Sequence, residues 1–150
     1  MQLYILRHGD AERLSSSDRE RQLTARGKVE VQTVLTKHKA ELAAVETIWV
    51  SPYMRAQQTA AVVSEQLPNI AVQTLAQLTP DNRPVDVLKF LCQQPEDSTL
   101  LLVSHQPLVS DLVANLCDVP FMTVGMHTAA LASILLNPVA SGMGQLQYID

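Results

Sequence analysis

Three short apolar runs, each halted by residues able to do chemistry, constrain this chain more than any other feature. Leu3-Tyr4-Ile5-Leu6 stops at Arg7-His8-Gly9. Thr47-Ile48-Trp49-Val50 stops at Ser51-Pro52, and Thr99-Leu100-Leu101-Leu102-Val103 stops at Ser104-His105-Gln106-Pro107. Apolar runs this short, bounded by turn-forming residues, suit strands buried on both faces. Between them the spacing turns helical. Thr24 reads as the N-cap of a helix with Val31, Val34, Leu35 and Leu42 on its apolar side. Ser51 reads as the next N-cap, with Pro52 at the first helical position. That helix runs to about Leu67, with Ala56, Thr59, Ala60, Val63 and Leu67 on one face. Leu108, Val109, Leu112, Val113 and Leu116 form a third helical stripe.

Weaker signals fill the remainder. Residues 70–75 and 129–136 read as strands, 145–149 as a last edge strand, and 85–92 as a short helix after a loop at 79–84. Strands alternating with helices predict an α/β fold with a mostly parallel sheet covered by helices. In such sheets ligands bind beyond the carboxyl ends of the strands. Parallel strands would bring Arg7-His8-Gly9, Ser51-Pro52 and Ser104-His105 to one edge.

Composition closes off other classes. The chain has 150 residues, 47% apolar and 17% charged, with no repeat or linker at which to divide it, so one domain over 1–150 is expected. Disorder would need lower hydrophobicity and a higher net charge. Eleven Lys and Arg against 15 Asp and Glu give a net charge of −4, which disfavours a general nucleic-acid surface. No apolar run approaches the roughly 18 residues of a membrane span. The first residues lack the basic region of a signal peptide. Cys92 and Cys117 form no CxxC motif and read as two buried, reduced thiols, so a cytoplasmic protein is expected. The four histidines show no ligand spacing such as HxxxH, and neither metal nor cofactor is expected.

The strand ends carry the chemistry. Arg7-His8 offers a fixed cation beside a nucleophilic imidazole, and Gly9 lets the backbone turn sharply. Ser51 opens a helix whose N-terminus suits an anion, and Arg55, one turn in, offers a bidentate clamp for phosphate. Ser104-His105 repeats the pattern. Each taken alone has a plainer reading: a turn, a capped helix, a structural histidine. Two histidines and two arginines together suit a phosphoryl group, whose charge must be neutralised while a nucleophile attacks in line. Among the rest, His38 reads as a surface or half-buried residue, His127 as a loop residue, and Asp10 and Glu12 as solvated loop carboxylates.

Arg7-His8-Gly9, Ser51-Pro52-Tyr53-Met54-Arg55-Ala56-Gln57-Gln58-Thr59 and Ser104-His105 resemble the three-part signature of the histidine phosphatase (phosphoglycerate mutase-like) superfamily. Arg21-Gln22-Leu23-Thr24 with Gly27, Leu78-Thr79-Pro80 and Ser104-His105-Gln106-Pro107-Leu108-Val109 extend the likeness to its small bacterial phosphohistidine phosphatases, over essentially the whole chain. The resemblance implies a three-layer sandwich with helices on both faces of the sheet. It implies that His8 is the nucleophile, that Arg7 and Arg55 bind the phosphoryl oxygens, and that His105 completes the pocket, with Arg21 a further phosphate-side arginine and Gly9 and Ser51 lining the site.

One departure sharpens the assignment. Most members of the superfamily protonate the leaving oxygen with a Glu or Asp after the middle motif. Here Gln77 cannot do so, and Asp81 is a weak candidate. An alkoxide leaving group needs that proton, whereas an imidazole leaves more readily and can already carry it. The resemblance therefore implies a phosphohistidine phosphatase acting on the His-containing phosphotransfer domain of a phosphorelay. Its partner is that domain, and the enzyme is expected to be monomeric. Two alternatives stand beside this reading: a phosphatase for small phosphorylated metabolites, and a non-catalytic phosphohistidine-binding module.

Overall fold

The computed structural model describes all 150 residues. The elements run β1 (Gln2–Arg7), α1 (Ala25–Lys37), α2 (Lys39–Leu42), β2 (Thr47–Val50), α3 (Met54–Gln66), β3 (Ala71–Thr74), α4 (Pro84–Leu91), β4 (Thr99–Ser104), α5 (Leu108–Cys117), β5 (Leu131–Leu136) and β6 (Gly144–Ile149). One sheet holds all six strands in the order β3-β2-β4-β1-β5-β6. The first four are mutually parallel, and β5 and β6 pair antiparallel.

Each central strand feeds two cores, because successive side chains point to opposite faces. Leu3 and Ile5 of β1 join Leu100 and Leu102 of β4 against α4 and α5, through Val87, Leu91, Leu108, Leu112 and Leu116. Tyr4 and Leu6 join Leu101 and Val103 against α1 and α3, through Val31, Leu35, Ala56, Ala60 and Val63. The result is the expected three-layer sandwich. No helix is long and apolar enough to cross a membrane.

Register brings the chemistry to one edge. Arg7 of β1 pairs with Ser104 of β4, and Val50 of β2 pairs with Val103. Pairing continues a residue further: the His8 N–H donates to Ser104 O at 3.0 Å and the Ser51 N–H to Val103 O at 3.0 Å. His8, Ser51 and His105 therefore leave the sheet side by side.

Four local expectations are corrected. The helix after β2 begins at Met54 with Tyr53 as its N-cap, so Ser51 and Pro52 lie ahead of it. Ser51 stays on the ladder because its N–H is needed there. Cys92 is exposed and Cys117 half-buried; both are free. Each lies at the end of a helix and off its apolar stripe, just after a fully buried leucine, Leu91 or Leu116. His38 is buried, stacked on Tyr148 with ring centroids 4.6 Å apart, and its Nε2 lies 2.7 Å from the Asp150 carboxylate. The strand at 70–75 shortens to β3, an edge strand whose side chains are all exposed.

The β1 turn is locked to the start of α1 by two glycines. Thr24 caps α1, accepting from the Gly27 N–H at 3.0 Å while its hydroxyl donates to the Asp10 carboxylate at 2.7 Å. This draws the backbones so close that a Cβ on Gly27 would sit 2.1 Å from Asp10 O, and one on Gly9 would sit 2.4 Å from Gly27 O. The obstructing atoms are backbone and cannot swing aside. Gly27→Ala is expected to cost about 1–3 kcal/mol in urea unfolding and to lower activity by shifting the residues that follow His8. Unchanged stability would mean that the two segments separate freely.

Candidate active site

The local chain sets the state of His8. Its Nδ1–H donates to the carbonyl of the next residue, Gly9, at 2.7 Å. Nε2 is thereby left with the lone pair, and the Arg55 Nε–H donates to it at 3.1 Å. Both bonds require the same neutral tautomer. The ring is buried, and burial is the largest influence lowering its pKa, from 6.5 to about 4. The charges of Arg55, Arg7 and Arg21 push it the same way, while the bond to Gly9 opposes them. At neutral pH His8 is a neutral imidazole among cations.

Arg55 is 3% exposed in the first turn of α3. Besides His8 it binds Asp18: Nη1 donates to the Asp18 carbonyl at 2.6 Å and Nη2 to its carboxylate at 3.1 Å. Its guanidinium carbon also lies 5.2 Å from the centroid of the Tyr53 ring. Arg21 reaches the same carboxylate, its Nη1 donating to Asp18 Oδ1 at 2.9 Å. Arg7 is oriented from the other side, Nη1 donating to Met126 O at 2.9 Å, and its buried Nε has no partner. Burial, and next the nearby Arg55, lower the pKa of Arg7.

The second histidine closes the set. His105 is 1% exposed, and its ring centroid lies 5.0 Å from that of His8 and 5.1 Å from that of Tyr53. Its Nε2 lies 2.7 Å from Ser51 Oγ. A serine hydroxyl donating there places the proton on Nδ1, which is buried and unpartnered. An anion between the two rings would supply the missing acceptor. Burial first, then the charges of its neighbours, push the His105 pKa well below the ordinary value.

The structure thus gathers His8, Arg7, Arg55, His105, Ser51 and Gly9 around one spot, with Arg21 linked to it through Asp18. Asp81 is exposed in the loop ahead of α4 and hydrogen-bonds to none of them. His127 lines a separate groove with Val29, Thr33 and Ala129 along α1. Asp10 is not freely solvated, since it holds Thr24. Two residues here escaped the reading of the sequence. Asp18 looked like part of a polar loop, and Tyr53 fell in the first turn of the expected helix with no role of its own. For Tyr53 a signal existed, its place within the middle motif.

An activated imidazole set among guanidiniums at the carboxyl edge of such a sheet defines a class, the phosphoryl-handling α/β enzymes. Residues 3–79 match the histidine phosphatase superfamily (branch 1), and the chain belongs to that family. Within it, the chain is 37% identical over 147 residues to the phosphohistidine phosphatase SixA of Escherichia coli (strain K12), covering 95% of this chain and 89% of that protein. The phosphohistidine phosphatase SixA homolog of Haemophilus influenzae is 33% identical over 127 residues, 77% of each chain. A solved structure of the protein histidine phosphatase SixA complexed with tungstate superposes with a TM-score of 0.88 at 35% identity, over 99% of this chain and 96% of that one. The fold itself is shared more widely: phosphoglycerate mutase from Plasmodium falciparum superposes with a TM-score of 0.73 at 18% identity, over 98% and 88% of the two chains.

The depressed histidines fix a pH dependence. An unfolded chain titrates His8 near 6.5 and the fold holds it near 4, so over that interval the unfolded state binds more protons. The contribution of His8 to stability is complete above pH about 6.5 and is lost as the pH drops toward 4. In His8→Asn, melting midpoints over the same interval should fall less steeply than in the wild type. Identical slopes would mean that His8 ionises normally in the fold.

Proposed function

We propose that this chain is a phosphohistidine phosphatase that takes the phosphoryl group from a histidine of another protein onto His8 and passes it to water. One observation carries the reading: the Gly9 carbonyl holds the His8 proton on Nδ1 and leaves the Nε2 lone pair inside a cluster of guanidiniums. In the first step the Nε2 lone pair forms a bond to phosphorus as the substrate's P–N bond breaks. The substrate imidazole leaves neutral, carrying a proton on its other nitrogen. Arg7 and Arg55 stabilise the charge on the phosphoryl oxygens, and His105 donates to them from Nδ1.

The phosphorylated His8 ring keeps its Nδ1–H and bears a positive charge, which the Gly9 carbonyl faces. Water then attacks phosphorus, the P–Nε2 bond breaks, and its electron pair returns to Nε2. The ring is again a neutral imidazole, and both protons of the water depart with the phosphate. Neither step produces an alkoxide, so neither requires a carboxylic acid. This accounts for a site in which Asp81 stands apart. The short segments at 12–20 and 79–84, together with likeness to SixA, support a protein substrate. We assign the His-containing phosphotransfer domain of a phosphorelay, met in the cytoplasm by a monomeric enzyme.

Rapid mixing with a 32P-labelled phosphotransfer domain, quenched in alkali to preserve phosphohistidine, tests the scheme. Label should pass through the wild-type chain and be absent from His8→Ala. Label held without a covalent bond would instead mark a binding module. Arg55→Ala should remain folded and lose about 10²–10³ in turnover, whereas near-normal turnover would remove Arg55 from the mechanism. The acid limb of the rate profile should lie near pH 4 rather than 6.5, because His8 loses its nucleophilic lone pair only below its pKa.

A further inference from the structure

Asp18 occupies the place of an anion. Its Oδ2 accepts from Arg55 Nη2 at 3.1 Å and its Oδ1 from Arg21 Nη1 at 2.9 Å. Two oxygens of one anion thus rest on two guanidiniums, the arrangement in which arginines bind phosphate. The partners differ in setting. The Arg55 side chain is 4% exposed and that of Asp18 is 54% exposed. Asp18 begins a short 3-10 turn, Asp18–Glu20, that contains no buried residue. A buried cation is therefore neutralised by a carboxylate on an exposed turn, which the Asp18 carbonyl also ties to Arg55 at 2.6 Å.

Neutralisation matters because a buried guanidinium without a counterion carries a large desolvation penalty. With a phosphoryl group in the site, that group compensates Arg55. When the group leaves, something else must. The carboxylate end of the pair is open to water and can swing away, and a phosphate dianion brings twice the charge of a carboxylate. We infer that Asp18 is a positioning residue that stands in for phosphate: it holds Arg55 and Arg21 in the free enzyme, yields them to the incoming phosphoryl group, and competes with product phosphate for them after hydrolysis. This rests on the reading above, that the phosphoryl group binds between Arg55 and His8. Free phosphate feels the full competition, whereas a phosphoprotein has further contacts with which to overcome it.

Calorimetric titration of inorganic phosphate and of tungstate into the wild type, Asp18→Asn, Asp18→Ala and Arg55→Ala at pH 7 tests the inference. Asp18→Asn keeps the shape and removes the charge. It should bind both anions at least about threefold more tightly, and phosphate should inhibit its turnover more strongly by the same factor. A structural role alone predicts the opposite sign, because a disordered Arg55 binds anions less well. Equal or weaker binding by Asp18→Asn with an unchanged melting midpoint would overturn the inference while Arg55→Ala still showed weakened binding. If Arg55→Ala bound phosphate as well as the wild type, the assignment of the phosphoryl site would fail, and this inference with it.

Discussion

The parallel pairing of β1 with β4 is the constraint from which the site follows. Arg7 lies opposite Ser104, and the ladder runs on through the His8 N–H. The next residue on each strand is a histidine, so register alone brings the two rings to 5.0 Å. A slip of one residue would turn every side chain of β1 to the other face. It would also exchange the partners of two cores, since Leu3 and Ile5 face α4 and α5 while Tyr4 and Leu6 face α1 and α3. Core packing thus enforces the alignment that the chemistry needs. No contact between the two imidazoles is required to hold them together.

Charge is arranged against the trend of the whole molecule. The chain is acidic overall, yet His8 feels three arginines. Burying cations together is costly, and here the cost is offset by carbonyls and one carboxylate: Met126 O receives Arg7, while Arg55 is received by both the carbonyl and the carboxylate of Asp18. One carboxylate shared by Arg55 and Arg21 compensates only in part, which preserves an appetite for a dianion. Burial is the main cause that keeps both histidines neutral, and the same arginine charges that attract phosphate reinforce it.

Much of this was legible in the sequence. Short apolar runs ending in polar doublets gave the central strands, because strands buried on both faces leave no room for alternation. The helical stripes of α1, α3 and α5 were equally plain. Ser51 was misread since Ser-Pro usually opens a helix. Here its N–H is claimed by β4 and its hydroxyl lies at His105, and the helix waits for Met54. Asp18 was invisible because its meaning lies in two arginines, one 3 and the other 37 residues away, brought together only by folding. His38 was underrated for a similar reason. Its partners arrive from the far end of the chain, Tyr148 on β6 and Asp150 just beyond it.

The reversal of β5 has a consequence for how a small chain surrounds a site. Parallel strands send only departing loops to the edge where ligands sit. An antiparallel strand delivers an arriving one. The segment entering β5 reaches that edge on its way into the sheet, pairing Ala129 N with His8 O and presenting the Met126 carbonyl to Arg7 and Gln106. One change of strand direction thus walls the side of the pocket beyond β1 with a connection the chain had to make in any case. Enclosure comes from topology rather than from added length.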